Sequence, residues 1–321
     1  MTLKTSALGF GLSGIAGSGN FAHQEKLVRT AIDCGITHFD VAPYYGSGDA
    51  EKILGSILAN CLEKVTITTK YGLSPLNVGR GGSVLRKVLR PVFKAAPFLK
   101  RLAAGALNND DAPKIKTVEK GALTSSLNNS IKNLRRTPDI LLLHDAGTDF
   151  AGNRQVITEL DVARQRGNVL LTGISGDAES VTGITTLLPK TYMVAQLENS
   201  LTVQAQFPPL YGAKVITHRA IQGGLQPLNY LIQNRPGFKQ IWLRETGVDP
   251  LAQDNLAQVL IELALYENLL GTVLFSTTKP GRVKQVANAL SKPLIDGSRC
   301  RAVRALFNMV YLQQKKSFSY N

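Results

Sequence analysis

The feature that most constrains this chain is a rhythm. Short apolar, β-branched runs alternate with stretches of helical periodicity about eight times, at intervals of roughly 25 to 45 residues. Strand-type runs fall at 8–15 (with its loop), 36–41, 65–70, 139–144, 168–172, 192–197, 214–217 and 272–275. Between them, Leu27, Val28, Ala31 and Ile32 recur at helical spacing before Gly35, a natural stop. Ile53, Leu54, Ile57 and Leu58 mark a second helix from Asp49, and Leu123, Leu127, Ile131 and Leu134 a third capped by Thr117. Further helices are expected at 154–166, 178–188, 254–267 and 279–288. Such alternation builds parallel βα units, and eight of them in 321 residues favour a closed (β/α)8 TIM barrel over an open doubly wound sheet. No shift of composition divides the chain. The expectation is an α/β fold in a single domain over 1–321, with an insertion or lid at 74–116 and a tail at 291–321.

The insertion after the third strand breaks the rhythm. It carries Gly79, Gly81, Gly82, Pro91, Pro97 and Pro113, with short helices expected only near 84–102. Between Ser74 and Lys120 there are ten basic residues against three acidic ones, half of the chain's net charge of +14. A sequence pI near 9.7 could suit nucleic acid. The excess is local, however, and only Phe93 and Phe98 stand among its basic residues, so no nucleic-acid partner is expected. Cys34, Cys61 and Cys300 form neither a CxxC nor a metal spacing, so free thiols in the cytoplasm and no metal are expected. No apolar run suits a membrane span, and the N-terminus lacks the apolar core of a signal peptide. Gly9, Gly11 and Gly14 have the GxGxxG spacing, but a lone match of this kind is a weak signal and is not taken as a dinucleotide fingerprint.

Polar residues gather where the strands end. Asp40 closes the strand at 36–41, Lys70 closes V-T-I-T-T-K, and His144 closes D-I-L-L-L-H. Ser175 and Gln196 stand at or just past the ends of two later strands, and Tyr45 follows Asp40 on the loop A-P-Y-Y-G. In a barrel these ends share one rim. Taken singly, Asp40 could cap a helix, Lys70 could be a solvated strand end, and His144 could be a core histidine. Together they make a coherent set. A tyrosine hydroxyl is a weak acid unless a cation stabilises its phenolate. A lysine can do that, and a carboxylate can hold the lysine charged. A histidine can donate a proton or orient a carbonyl. The set suits protonation of a carbonyl oxygen as hydride arrives from a cofactor.

On these motifs the chain resembles the aldo-keto reductase family from about Leu8 to Leu290. D-V-A-P-Y-Y-G matches that family's D-x-A-x-x-Y-G, T-T-K-Y-G its lysine strand and L-L-L-H its histidine strand. I-S-G and A-Q-L-E-N-S follow in the family's order. The resemblance implies a (β/α)8 barrel binding NADPH (NADP+) and a small-molecule carbonyl or alcohol. It implies Tyr45 as proton donor, Lys70 and Asp40 tuning it, His144 orienting the carbonyl, and Ser175 and Gln196 at the nicotinamide carboxamide. It also suggests Tyr44, Tyr71, Phe150, Trp242 and the tail after Cys300 as pocket walls. A second reading is a nicotinamide-binding, redox-sensing regulatory subunit with little turnover, docking through the basic insertion. A lyase using Lys70 as a Schiff base leaves Tyr45 without a role.

The cofactor's far end can be argued from physics. S-T-T-K-P-G-R follows the eighth strand, Pro280 suits a first helical turn, and a helix N-terminus attracts phosphate. Ser276, Thr278, Lys279 and Arg282 supply hydroxyls and cations, which favour the 2′-phosphate of NADPH over NADH. The chain also departs from the family. Gln285-Val286 stands for the usual Glu-Asn on the adenine side, and Ser175-Gly176 for a common Ser-Asn. T-H-R-A-I replaces A-Y-S-P-L, so His218 or Arg219 must cover the nicotinamide or contact its phosphate. The oligomeric state is not legible.

Overall fold

The computed structural model describes residues 3–59, 61–73, 119–205 and 214–318, with side chains to 310. The basic insertion and the expected cap Thr117 lie outside the described residues.

Eight parallel strands close into a barrel in chain order. They are β1 (Leu8–Gly11), β2 (His38–Asp40), β3 (Thr66–Tyr71), β4 (Ile140–His144), β5 (Leu171–Ser175), β6 (Val194–Glu198), β7 (Lys214–His218) and β8 (Thr272–Phe275). Closure comes from β1, which pairs with both β2 and β8. The helices between strands are α1 (Phe21–Asp33), α2 (Asp49–Leu58), α3 (Ala122–Leu134), α4 (Thr148–Ala151), α5 (Arg154–Gln165) and α6 (Ala178–Leu187). Then come α7 (Leu225–Asn234), α8 (Phe238–Thr246), α9 (Asn255–Glu267), α10 (Pro280–Ser291) and α11 (Gly297–Phe318).

Strand alternation divides the core into layers. Ile140, Leu142, Val194, Ile216 and Leu274 form one cluster, on the lumen face of their strands. The intervening Leu141 and Leu143 point outward, into the layer shared with Leu123, Leu127, Val156 and Leu160 of α3 and α5. Phe10 and Phe39 do the same toward α1, α2 and α10. The same alternation decides the rim. Asp40 shares a face with His38, Lys70 with Thr68, His144 with Leu142, and Gln196 with Val194. Polar strand ends therefore crown a lumen that is apolar in part, with His38 and Thr68 beneath Asp40 and Lys70.

Two boundaries differ from the sequence expectation. The fifth strand runs Leu171–Ser175, not 168–172. Asn168 instead closes α5, its N–H reaching Ala163 O, while the N–H groups of Leu170 and Leu171 both bond Asp139 O. The strand begins there and ends on Ser175, opposite His144. The third helix begins at Ala122 after Gly121, whose φ of 80° is left-handed. The Glu159 carboxylate accepts N–H groups at its start, from Gly121 and Thr124.

Helices α7, α8 and α11 have no counterpart in the sequence reading. They build a satellite core with α9 around Trp242, Phe238 and Phe307. Trp242 is therefore a core residue rather than a pocket wall: it is fully buried and its Nε1 donates to Val248 O at 3.1 Å. Cys300 is buried in the same cluster. Tyr71 is buried in another, stacked on Phe150 with ring centroids 6.1 Å apart. No helix among the described residues is long and apolar enough to cross a membrane. Nor do any of their His, Cys, Asp and Glu side chains form a metal-type cluster.

Candidate active site

The motif D-V-A-P-Y-Y-G turns sharply out of β2. Asp40 ends the strand, and a 3-10 turn spans Tyr45–Gly48. Gly46 makes the turn possible. Its φ is +60°, and a Cβ there would lie 2.4 Å from the Cβ of Ala16. The chain thus folds Tyr45 back over the barrel mouth.

There the four expected groups meet. Lys70 Nζ donates to Asp40 Oδ1 at 2.5 Å and to Tyr45 OH at 3.1 Å. The ring of Tyr45 stands edge-on to that of His144, centroids 5.8 Å apart. Tyr44 also stands edge-on to that imidazole, centroids 6.4 Å apart. Across the lumen, Gln196 Nε2 donates to Asp40 Oδ2 at 2.7 Å, and Ser175 Oγ donates to Gln196 Oε1 at 2.9 Å. Strand register explains why these residues meet: His144 pairs with Ser175, and Ser175 with Gln196.

The electrostatics follow from burial. Burial disfavours the Lys70 ammonium, yet Asp40 and Tyr45 outweigh it, and the lysine pKa ends above its usual value. Tyr45 also ends above the usual phenol range, because loss of solvent exceeds the stabilisation that Lys70 gives its phenolate. Asp40 explains the shortfall, since its negative charge offsets the lysine's effect on the tyrosine. The sequence argument expected the cation to win; with no ligand present it does not. Burial and then Lys70 depress His144 to about 3, so that imidazole is neutral near pH 7. His218 is pushed to about 4 for the same two reasons.

A cavity of about 1070 Å³ opens from Asp40, Tyr45 and His144 and extends past Ser175, Gln196, His218 and Arg219. It reaches Ser276, Arg282 and Gln285 near the start of α10. Lys70 is not on its wall but behind Tyr45 and Asp40, 2% exposed. Two expected residues are not on the wall either. Thr278 O pairs with His23 Nε2 at 2.8 Å, and Lys279 is exposed just ahead of α10. Thr277 lines the cavity instead.

Sequence reasoning missed Gly11, Ser13 and Asp254 on the wall. Gly11 offered a signal: a Cβ there would sit 2.6 Å from Ser276 Oγ, so a larger residue would have to displace that hydroxyl. Asp254 reads in sequence as the first residue of a helix. In the structure it has a φ of 65°, makes no side-chain cap, and accepts from Gln285 Nε2 at 2.7 Å. Arg219 also has positive φ and donates to Glu198 Oε2 at 3.0 Å across the rim.

Comparison with known proteins agrees with this fold. Residues 7–306 match the model of the Aldo/keto reductase family. A glycerol dehydrogenase of Gluconobacter oxydans superimposes with a TM-score of 0.68 at 17% identity, covering 96% of this chain and 93% of that one. The holo form of an aldo-keto reductase of Bacillus halodurans gives 0.66 at 16%, covering 95% and 93%. At such identities the likeness shows the fold. Sequence similarity to curated proteins is partial. A pyridoxal 4-dehydrogenase of Microbacterium luteolum is 38% identical over 73 residues, 22% of this chain and 21% of that protein. An aldo-keto reductase of Gibberella moniliformis is 28% identical over 181 residues, 54% of this chain and 44% of that protein. The matched stretches thus span less than half of these relatives. With the motif order, the closed barrel and a family match over nearly the whole length in agreement, the chain belongs to the aldo-keto reductase family.

Proposed function

We propose that this protein is a nicotinamide-dependent oxidoreductase that interconverts a small aldehyde or ketone and its alcohol, with sugar-type alcohols included. Tyr45 is its general acid/base. The observation that carries this reading is the hydrogen-bonded series Asp40–Lys70–Tyr45 at the mouth of a deep cavity, with neutral His144 beside the phenol.

The residues along the cavity fit a dinucleotide. Gly11 keeps the floor free of a side chain, and Ser276, Thr277 and Arg282 gather hydroxyls and a cation near the N-terminus of α10. Ser175 and Gln196 would hold the carboxamide, and His218 and Arg219 would flank the ring. Arg282 supports the 2′-phosphate of NADPH. When bound, the cofactor supplies or accepts hydride.

The protein's part is proton control. Burial keeps the Tyr45 proton in place until a carbonyl oxygen needs it, and Lys70 then stabilises the phenolate left behind. Asp40 keeps Lys70 charged. His144, neutral, can donate a hydrogen bond that orients the carbonyl without adding charge. A redox-sensing binding protein would need the cavity but not a phenol bonded to an ammonium.

Fluorescence titration with NADPH and NADH, with cofactor absorbance followed over a panel of aldehydes, ketones and sugars, tests the reading. Binding with turnover that Tyr45→Phe abolishes is the expected result. Tight binding with no turnover on any substrate would favour the sensing role, and no binding of either nucleotide would overturn both.

A further inference from the structure

We propose that Gln196, held by Ser175, is a positioning residue for the proton donor: its amide fixes the second oxygen of Asp40 and so sets how strongly that carboxylate binds Lys70. The inference rests on the reading of Tyr45 as general acid.

Strands β2 and β6 stand opposite one another in the eight-stranded ring, so Gln196 spans the lumen to reach Asp40. Its orientation is determined by its partners. Turned over, it would set a carbonyl oxygen against the Asp40 carboxylate. As it stands, Ser175 Oγ donates to Oε1 and Nε2 donates to Asp40 Oδ2. Ser175, Gln196, Asp40 and Lys70 are all at most 6% exposed, so little solvent competes for these bonds.

The consequence concerns charge. A carboxylate sharing its charge between an amide N–H and an ammonium binds the ammonium less tightly than one facing the ammonium alone. Without the amide, Asp40 would hold Lys70 more strongly, Lys70 would give less to Tyr45, and the phenol would become a weaker acid. Loss of the amide removes none of the other charged or titratable groups around the network. They are His38 on β2, His144 on β4, His218 on β7 and the Glu198–Arg219 pair at the rim. Gln196 keeps one N–H and one lone pair uncommitted by these two bonds, so it can serve the carboxamide and Asp40 together.

The test is a pair of titrations. The phenolate absorbance of Tyr45, isolated by subtracting the spectrum of Tyr45→Phe, is followed against pH in ligand-free wild type and in Gln196→Met, which keeps the volume and removes the N–H. The basic limb of the pH–rate profile is measured in parallel. Both should move upward by about one pH unit, with Ser175→Ala shifting them the same way by less. An unmoved Tyr45 titration in a folded Gln196→Met protein overturns the proposal. Should that variant not fold, the Ser175→Ala titration decides in its place. Retained turnover in Tyr45→Phe would instead remove the general-acid reading on which the proposal stands, so the two failures are separate.

Discussion

Lys70 and Asp40 form an ion pair at 2.5 Å whose side chains are 1% and 4% exposed. Two charges buried beside a cavity cost desolvation energy that their mutual attraction roughly offsets, so the pair is weak evidence for stability. Its value lies in the third member, Tyr45, toward which the ammonium is turned. Lys70→Met should cost about 3 kcal/mol, because it leaves a buried carboxylate with no cation, and should lower turnover by about a hundredfold or more. Asp40→Asn added to it should return much of the stability and none of the activity. Urea denaturation of the three proteins checks this; equal losses in single and double variants would show that the pair is not coupled.

Two adjacent tyrosines make the proton-donor assignment sharp. Both rings stand edge-on to His144, at 6.4 Å for Tyr44 and 5.8 Å for Tyr45. Only the Tyr45 hydroxyl accepts from Lys70. Tyr45→Phe should reduce kcat by about 10²-fold or more while cofactor affinity stays near wild type, and Tyr44→Phe should act mainly on KM. The reverse pattern in steady-state kinetics would assign the role to Tyr44.

How far the sequence reaches is visible in these same residues. The β-branched runs located all eight strands, because period-two burial against surrounding helices dictates their composition. The catalytic candidates were legible because Asp40, Lys70 and His144 stand at strand ends that share a rim, and Tyr45 follows Asp40 on its loop. Register was not legible: the sequence placed strand five three residues early, since 168–172 is as apolar as its true span. Helices α7, α8 and α11 were missed because their apolar faces meet one another outside the βα repeat. Thr278 and Lys279 were expected to bind phosphate because they precede a helix N-terminus and carry a hydroxyl and a cation. Neither lines the cavity, and Thr277 stands on its wall instead. Asp254 was hidden by its position as an apparent helix start.

Gly46 is the motif residue whose reason emerges only in three dimensions. Gly46→Ala would pay about 1 to 2 kcal/mol for a left-handed alanine and would also drive a methyl into Ala16, 2.4 Å away. The turn that carries Tyr45 should shift, lowering both the melting temperature and kcat. Ala16→Gly in the same chain relieves the contact but not the backbone strain, so rescue should be partial. Full activity in the single variant would show that the turn tolerates displacement.

Arg304 ties α11 to the loop after β6. It makes two bonds of 2.8 Å to Glu267 and donates to Leu201 O at 3.0 Å, while Asn199 donates to Glu267 Oε2. Val203, in the same loop, lines the cavity. Arg304→Met should cost about 3 kcal/mol by leaving a largely buried Glu267 carboxylate without its cation, and should weaken nucleotide binding measured by fluorescence. A change below about 0.5 kcal/mol, the range of ordinary surface substitutions, would mean that α11 is not anchored there.

Three histidines set the acid response of the fold. Burial is the first cause in each case, and it holds His38 and His218 at about 4 and His144 at about 3, below the usual 6.5. A depressed histidine stays neutral in the folded state while the unfolded chain takes up its proton. Stability is therefore fully present above pH 6.5 and falls as the pH drops toward 4, by up to about 1.4 kcal/mol per pH unit for each group. His38 lies in the lumen with its ring nitrogens 2.8 Å from Thr66 Oγ1 and 3.3 Å from Thr68 Oγ1, away from the cavity wall. His38→Gln should remove one proton from the linkage, so its stability should fall less steeply than that of wild type between pH 6.5 and 5. Urea midpoints across that window decide the matter: parallel slopes in the two proteins would mean that His38 is already protonated, or already exposed to protons, in the folded barrel.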